Sequence, residues 1–441
     1  MRIFLTAALL ASGLAACQRP ASDADADADA IANAATIAPV ATPPDVARHE
    51  WPLPASAHAA QPDLIVAPDG SVLLSWIEPK GDGHALKFAR FAEGGWGEAQ
   101  SIASGDDWFV NWADTPHIAQ TADGALWAHW LQKSAAATYS YDVALVRSGD
   151  GGLTWSTPVL VNDDGTATEH GFVSLWPMAN DTVGVAWLDG RRTAGASAGD
   201  GEDPHAGHGA AAGHAPAAAM MTLRTTTFDA GLKRGAEHEL DLSTCDCCQT
   251  DVVPTATGAL LAYRDRTAAE IRDIHVARFD AGNWQPSTPV HADNWTMPAC
   301  PVNGPSIDAR GRGAVVGWYT AAGTPMVRLA HSGDGGARFN PPVTLDSGDA
   351  VQGRVDVALG ADAAWVLWLR EAAGGQTLQL ARYRPDLSKE LQRIEVAQLQ
   401  GRGRGTGFPQ LALAGDGTGY VIWTDIVDGK PSLHGARIAA E

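Results

Sequence analysis

Ile65-Val66-Ala67-Pro68-Asp69-Gly70-Ser71-Val72-Leu73-Leu74-Ser75-Trp76 reads as two short apolar runs joined by an Asp-Gly turn, the second run ending on an aromatic residue. Asp-Gly between two such runs is a strong hairpin signal, because the turn needs positive φ and glycine supplies it without strain. The unit recurs. Thr121-Ala122-Asp123-Gly124 leads to Trp130, and Ala414-Gly415-Asp416-Gly417 leads to Trp423. Weaker copies end on Trp187, Tyr263, Trp318 and Trp368. Successive aromatics lie 50–57 residues apart, apart from one interval of 76 that carries an insertion. A third strand follows in most units (Leu86 to Phe91, Val143 to Arg147, His275 to Phe279, Val327 to His331). A fourth often begins Trp, two residues, Pro, as in Trp155-Ser156-Thr157-Pro158. Four short strands per roughly fifty residues is the unit of an all-β propeller. Seven aromatic-ended hairpins predict seven blades, with six as the alternative. The last unit, residues 407–438, shows only three strands. Trp51-Pro52-Leu53 is expected to supply the fourth from the N-terminal side, closing the ring and leaving no open sheet edge.

The flanking sequence assigns an address. Met1-Arg2 is followed by a short apolar run, Ile3 to Leu14, and by Leu14-Ala15-Ala16-Cys17. That run is too brief to span a bilayer as a mature helix. The pattern resembles a bacterial lipobox, which implies cleavage before Cys17, acylation of that residue and, with Gln18 next, an outer-membrane destination in the cell envelope. Residues 1–17 are therefore expected to be a signal peptide with its lipobox. Residues 18–46 are expected to be an Ala/Asp/Pro tether with no apolar face to bury. The propeller is assigned to residues 47–441, with a His/Gly/Ala-rich insertion at 193–219. The chain of 441 residues carries a formal charge of -20, which argues against nucleic acid as a partner. A lipid-anchored monomer is expected.

Two units carry a sharper mark. Ser148-Gly149-Asp150-Gly151-Gly152-Leu153-Thr154-Trp155 and Ser332-Gly333-Asp334-Gly335-Gly336-Ala337-Arg338-Phe339 resemble the Asp-box of the sialidase (neuraminidase) superfamily. In that family the motif joins the third and fourth strands of a blade, on the side away from the active site. The resemblance implies a sialidase-like propeller and a glycan or other anionic small-molecule ligand. It implies a site with an arginine group for the substrate carboxylate, a tyrosine nucleophile helped by a glutamate, and an aspartic acid that handles the proton.

Propellers place ligands in a central funnel lined by residues at the start of each innermost strand. Here that level contains Trp112, Asp114, His170, Cys247, Cys248, Gln249, Thr250, Asn303, Arg354, Asp356 and Phe408. The densest charge cluster, Tyr263-Arg264-Asp265-Arg266 with Glu270, Arg272 and Asp273, follows the second strand of the fourth unit. Arginines clamp carboxylates bidentately. The resemblance makes Arg264, Arg272 and Arg354 the candidate substrate clamp, with Trp112, Asn303 and Asp356 as further binding residues. It also makes Asp114 the candidate acid and Tyr263 or Tyr319 the candidate nucleophile, while Glu270, beside the arginines, is expected to orient them or to act as acid or base. The first unit reads Gln61-Pro62-Asp63-Leu64 where sialidases carry Arg-Ile-Pro, so a catalytic and a non-catalytic reading both stand.

The second reading rests on soft ligands. Cys245, Cys247, Cys248 and Cys300 are an even set in an oxidising compartment, which points to disulfides, with Cys247 or Cys248 joined to Cys300. The same Cys245-Asp246-Cys247-Cys248 cluster is also a candidate copper or zinc site, together with His205, His208 and His214 of the insertion. The two functions carried forward are a sialidase-like glycoside hydrolase or glycan-binding propeller, and a non-enzymatic envelope propeller that binds a transition metal or a protein partner.

Overall fold

A computed structural model describes residues 44–195 and 220–440. Cys17, the leader and most of the tether lie outside the described residues, as do His205, His208 and His214. Each hairpin unit of the sequence becomes one antiparallel sheet, and there are seven. The closing sheet begins with β1 (Val46–Glu50). Blade one is β2 (Ala60–Val66), β3 (Val72–Lys80) and β4 (Gly83–Ala92), completed by the short β5 (Gly95–Trp96) and β6 (Gln100–Gly105). Blade two is β7 (Ile118–Gln120), β8 (Leu126–Lys133), β9 (Tyr141–Ser148) and β10 (Val159–Leu160). Blade three is β11 (His170–Pro177), β12 (Val183–Asp189), β13 (Thr222–Phe228) and β14 (His238–Asp241). Blade four is β15 (Asp251–Pro254), β16 (Gly258–Arg264), β17 (Ile274–Asp280) and β18 (Asn283–Pro289). Blade five is β19 (Ser306–Arg310), β20 (Gly313–Thr320), β21 (Met326–Ser332) and β22 (Val343–Ser347). Blade six is β23 (Val351–Leu359), β24 (Ala364–Ala372), β25 (Gly375–Tyr383) and β26 (Glu390–Leu399). Blade seven is β27 (Gln410–Leu413), β28 (Gly419–Val427) and β29 (Lys430–Ala440), with β1 as its outermost strand. The inner strands β2, β7, β11, β15, β19, β23 and β27 neighbour one another in that order, and β27 returns to β2.

The closing strand is displaced from its expected position. Val46–Glu50 pairs with β29 in the register Val46↔Ala440 to Glu50↔Ala436. Trp51 instead packs into the core between blades seven and one, against Phe91, Trp96 and Tyr420. Pro52 explains the change: a residue without an N–H cannot continue a ladder. The propeller therefore reaches one residue further into the expected tether, since Val46 is part of the closing sheet.

The core is a ring. Seven apolar clusters each join two consecutive blades. Trp76, Trp130, Trp187, Tyr263, Trp318, Trp368 and Trp423 all lie on the second strand of a blade, and all are buried. Six of the seven have a side-chain partner for their polar atom, as when Trp76 donates to Glu78, Trp187 to Asp189 and Trp318 to Asp293. The Asp-Gly hairpins repeat one geometry, in which the aspartate accepts the N–H two residues on: Asp69 from Ser71, Asp123 from Ala125, Asp416 from Thr418.

The two Ser-x-Asp turns join third to fourth strands, β9 to β10 and β21 to β22. Asp150 accepts from Ser148 Oγ (2.7 Å), Thr154 N (2.9 Å) and Thr154 Oγ1 (2.6 Å), and these bonds hold its carboxyl down to about 2. Asp334 repeats the pattern with Ser332 and Arg338 N. Gly152 has φ +93°, and a Cβ there would stand 2.2 Å from Phe88 of blade one. The turn is therefore a packing joint between blades as well as a local cap.

Candidate functional site

The axial cavity and its mouth are built by a repeated backbone device. Gln61, Phe172 and Arg354 are non-glycine residues with positive φ (55°, 51° and 51°). Each sits in a bulge at the start of an inner strand, where register slips between Ala60 and Asp63, between Gly171 and Ser174, and between Gly353 and Asp356. A bulge re-aims the residues that follow it. Two residues on from each come Asp63, Ser174 and Asp356, all three among the residues that line the axial space.

The axial carboxyl groups reach across to the next blade. Asp63 accepts from Ile118 N (2.8 Å) and contacts His117 Nδ1 (2.9 Å). Asp114 accepts from Phe172 N (2.7 Å), Asp251 from Ile307 N (2.7 Å) and Ser306 Oγ (2.9 Å). Asp308 accepts from Leu359 N (2.6 Å) and Asp356 from Leu411 N (2.6 Å), and Asp356 Oδ1 also lies 2.9 Å from Ser306 Oγ, whose one proton can serve only one of the two carboxyls. Each aspartate thus fastens blade n to blade n+1 by satisfying a buried amide. Gly171 permits the approach of Asp114, because a Cβ there would fall 2.0 Å from Asp114 Oδ2.

A mouth chamber of about 90 Å³ is lined by Asp114, His117, Gln249, Thr250, Asp251, Ser306, Asp356, Phe408 and Gln410 among others. It shares His117, Thr250, Asp251, Asp356 and Gln410 with a chamber of about 520 Å³ between the inner strands. Among the described residues, no arginine or lysine lines either chamber. Burial dominates the titration of this lining. It raises the carboxyls of Asp114 and Asp356 to about 7, and raises Asp251 as well, against the hydrogen bonds that favour ionisation. His117 is raised despite its burial, by Asp63 beside it.

Beside the mouth, Tyr141 Oη donates to Glu169 (2.7 Å) and stands 3.4 Å from Asp114 Oδ2. Burial raises Glu169 to about 8. Phe109 stacks on Tyr141 with centroids 4.1 Å apart, and Trp112 stacks on Phe408 at 5.9 Å.

Of the residues expected from sequence, Asp114 and Asp356 line the cavity, and Trp112 stands at its rim with Asp114 and Glu169. The arginines are committed to the framework. Arg264, 2% exposed, donates to the backbone carbonyls of Asn303, Arg272 and Tyr319 and lies over Trp295. Arg354 donates to Thr406 Oγ1, Gly407 O and Gly403 O at the start of blade seven. Arg272 pairs with Glu270, which also holds Arg266. The three guanidinium groups do not converge on one acceptor, and Glu270, held ionised by its arginine partners, orients Arg266 and Arg272 and does not line either chamber. Tyr263 is fully buried and donates to Asp241 and lies 2.8 Å from Ser287 Oγ, on outer strands away from the axis. Tyr319 packs edge-on to Trp295. Asn303 Oδ1 accepts from Arg354 N, a framework role. Sequence reading named neither Tyr141, Glu169, His117, Asp251 nor Ser306. Position relative to the inner-strand starts was the only available signal for the last three.

Cys247 is joined to Cys300, and Cys245 to Cys248. The first bridge links the loops that carry Gln249 and Gly304 to the cavity. All three clustered cysteines are buried, with sulfur atoms close enough together to hold one ion if reduced.

No protein-family model and no curated protein matches this chain. Solved structures do. A protein of unknown function from Dyadobacter fermentans is 13% identical, with 90% of this chain and all of that one covered, at a TM-score of 0.49. The polysaccharide lyase Uly1 is 8% identical, with 84% and 88% covered and a TM-score of 0.49. The NanB sialidase of Streptococcus pneumoniae is 10% identical, with 84% and 83% covered and a TM-score of 0.43. At these identities the likeness concerns the fold.

Proposed function

We propose that the axial mouth binds a neutral, hydroxyl-rich glycan and carries glycosidase-type acid–base groups, on a propeller anchored to the cell envelope through Cys17. The observation that carries this reading is the make-up of the lining: carboxyl, amide, hydroxyl and imidazole groups, with no guanidinium or ammonium group among the described residues. A carboxylate-bearing sugar would meet repulsion there and find no bidentate partner. Sugar hydroxyls would find paired donors and acceptors, with Trp112 and Phe408 as apolar surfaces at the rim.

Asp114 and Asp356 come from blades two and six, so they reach the cavity from different sides of the ring. Burial raises both carboxyls, so that either can hold a proton near neutral pH. That is the condition for one group to donate to a leaving oxygen while another accepts from water. Glu169 and Tyr141 adjoin Asp114 and keep it in place.

The test uses the full mature chain against a panel of neutral and sialylated aryl glycosides, with binding to the corresponding glycans followed in parallel. Release or binding is expected with neutral sugars only. Asp114→Asn and Asp356→Asn should each lower kcat by about 10²–10⁴-fold while leaving the fold intact. Exclusive use of sialyl substrates would overturn the reading, as would the absence of any glycan binding. Anchoring is tested separately: Cys17→Ser should abolish incorporation of labelled fatty acid.

A further inference from the structure

His170 is a second site of concentrated chemistry, outside the cavity lining. It is the first residue of β11 and is wholly buried. Its Nδ1 lies 3.0 Å from the carbonyl oxygen of Tyr141. A carbonyl can only accept, and Asp142 Oδ1 also faces Nδ1 at 3.4 Å, so Nδ1 carries a hydrogen and Nε2 is the ring atom free to act as a ligand. That Nε2 makes no hydrogen bond. It faces Asp164 Oδ1 at 3.2 Å and Asp189 Oδ2 at 3.8 Å. Asp164 comes from the loop between β10 and β11, and Asp189 ends β12, so three separate backbone positions bring these atoms together.

Acceptors aimed at one another across a buried gap require a positive centre between them. The spacing fits a metal ion: two ligand atoms each about 2.1 Å from one Zn²⁺ lie about 3.0–3.8 Å apart for bond angles from about 90° to about 130°. The surroundings also have the form of an outer shell. The imidazole is oriented through its far nitrogen by a backbone carbonyl. Asn162 donates to Asp164 Oδ1 (3.2 Å) and Thr166 to Oδ2, while Trp187 donates to Asp189 Oδ2 (2.7 Å).

We propose that Asp164, His170 and Asp189 bind one divalent transition-metal ion that accepts mixed nitrogen and oxygen ligands, as Zn²⁺ does. Arg191 supplies the opposing charge in the metal-free protein. Its Nε and Nη2 hold Asp189 at 2.8 and 2.7 Å, its Nε is 3.9 Å from Asp164, and its Nη1 reaches Glu237 at 3.0 Å. Arg191 lies just beyond β12, and its side chain is one-fifth exposed. Metal uptake must draw it off Asp189 Oδ2 and leave it on Glu237. Guanidinium and metal therefore compete for one carboxylate.

That competition separates a metal site from a buried ion pair. The experiment uses the full mature chain with His205→Ala, His208→Ala and His214→Ala in every protein, so that those histidines take no metal. Zn²⁺ is titrated calorimetrically after chelator treatment, and Co²⁺ is followed by its visible absorption. One equivalent is expected to bind. Asn162→Ala should weaken binding by about 10–100-fold, and Asp164→Asn and His170→Gln by at least as much. Arg191→Gln should tighten it several-fold by removing the competing cation. Absence of Zn²⁺ uptake by the parent overturns the proposal, leaving an imidazolium–carboxylate pair. Weaker or unchanged binding in Arg191→Gln overturns it as well. That readout holds even if the His170 variant fails to fold.

Discussion

Asp114→Asn offers a direct measure of what the closed ring does to a carboxyl group. In the wild-type protein Asp114 is 2% exposed, and burial raises its pKa from the ordinary 3.8 to about 7. Below pH 3.8 the folded and unfolded chains both hold the proton, and the group costs nothing. Between 3.8 and about 7 the unfolded chain releases the proton while the folded chain keeps it, so stability falls as pH rises. Above about 7 the penalty is complete, about 4 kcal/mol at 1.36 kcal/mol per pKa unit. Asparagine has the same shape, keeps an acceptor for Phe172 N–H and offers a donor to Tyr141 Oη, but it does not titrate. Equilibrium urea unfolding, followed by tryptophan fluorescence with the disulfides intact, should give similar stabilities for the two proteins at pH 4. By pH 8 the variant should be more stable by about 4 kcal/mol, the size of the lost titration. A difference that stays constant from pH 4 to pH 8 would refute the reasoning, because the carboxyl would then titrate alike in both states.

Two further outcomes follow from the packing. Gly152→Ala should destabilise by about 1–3 kcal/mol or more, since φ +93° strains any side chain and the new methyl meets Phe88; a variant as stable as wild type in the same unfolding assay would contradict the joint between blades one and two. Cys247→Ser combined with Cys300→Ser should cost about 2–4 kcal/mol, and should remove most of the sensitivity of the melting temperature to reductant.

The hairpin repeat, the seven blades and the two Ser-x-Asp turns were legible because they depend on contacts a few residues long. Asp-Gly turns, alternating strands and an aromatic on each second strand are local choices, and each made its own blade. The closing strand was misplaced by several residues. Apolar content favoured Trp51 to Leu53, whereas ladder formation favoured Val46–Glu50 once Pro52 barred the other. The arginines misled for a related reason. Arg354 does stand at the start of an inner strand, while Arg264 ends the second strand of blade four and Arg272 lies in the loop that follows. Positive φ in the bulge at Arg354 and the carbonyls around Arg264 turn those two guanidinium groups into the framework, and Arg272 is held by Glu270.

Sequence by itself determined the all-β propeller architecture and favoured seven blades over six. It could not decide which polar side chains face the axis, because that depends on bulges one residue wide and on which backbone amide of the next blade needs a partner. Tyr141 and Glu169 are 28 residues apart and belong to different blades, so their hydrogen bond exists only after two sheets have packed. The acidity of Asp114 and Asp356 is decided at the same stage, for it comes from the exclusion of water by a ring that no single blade can make.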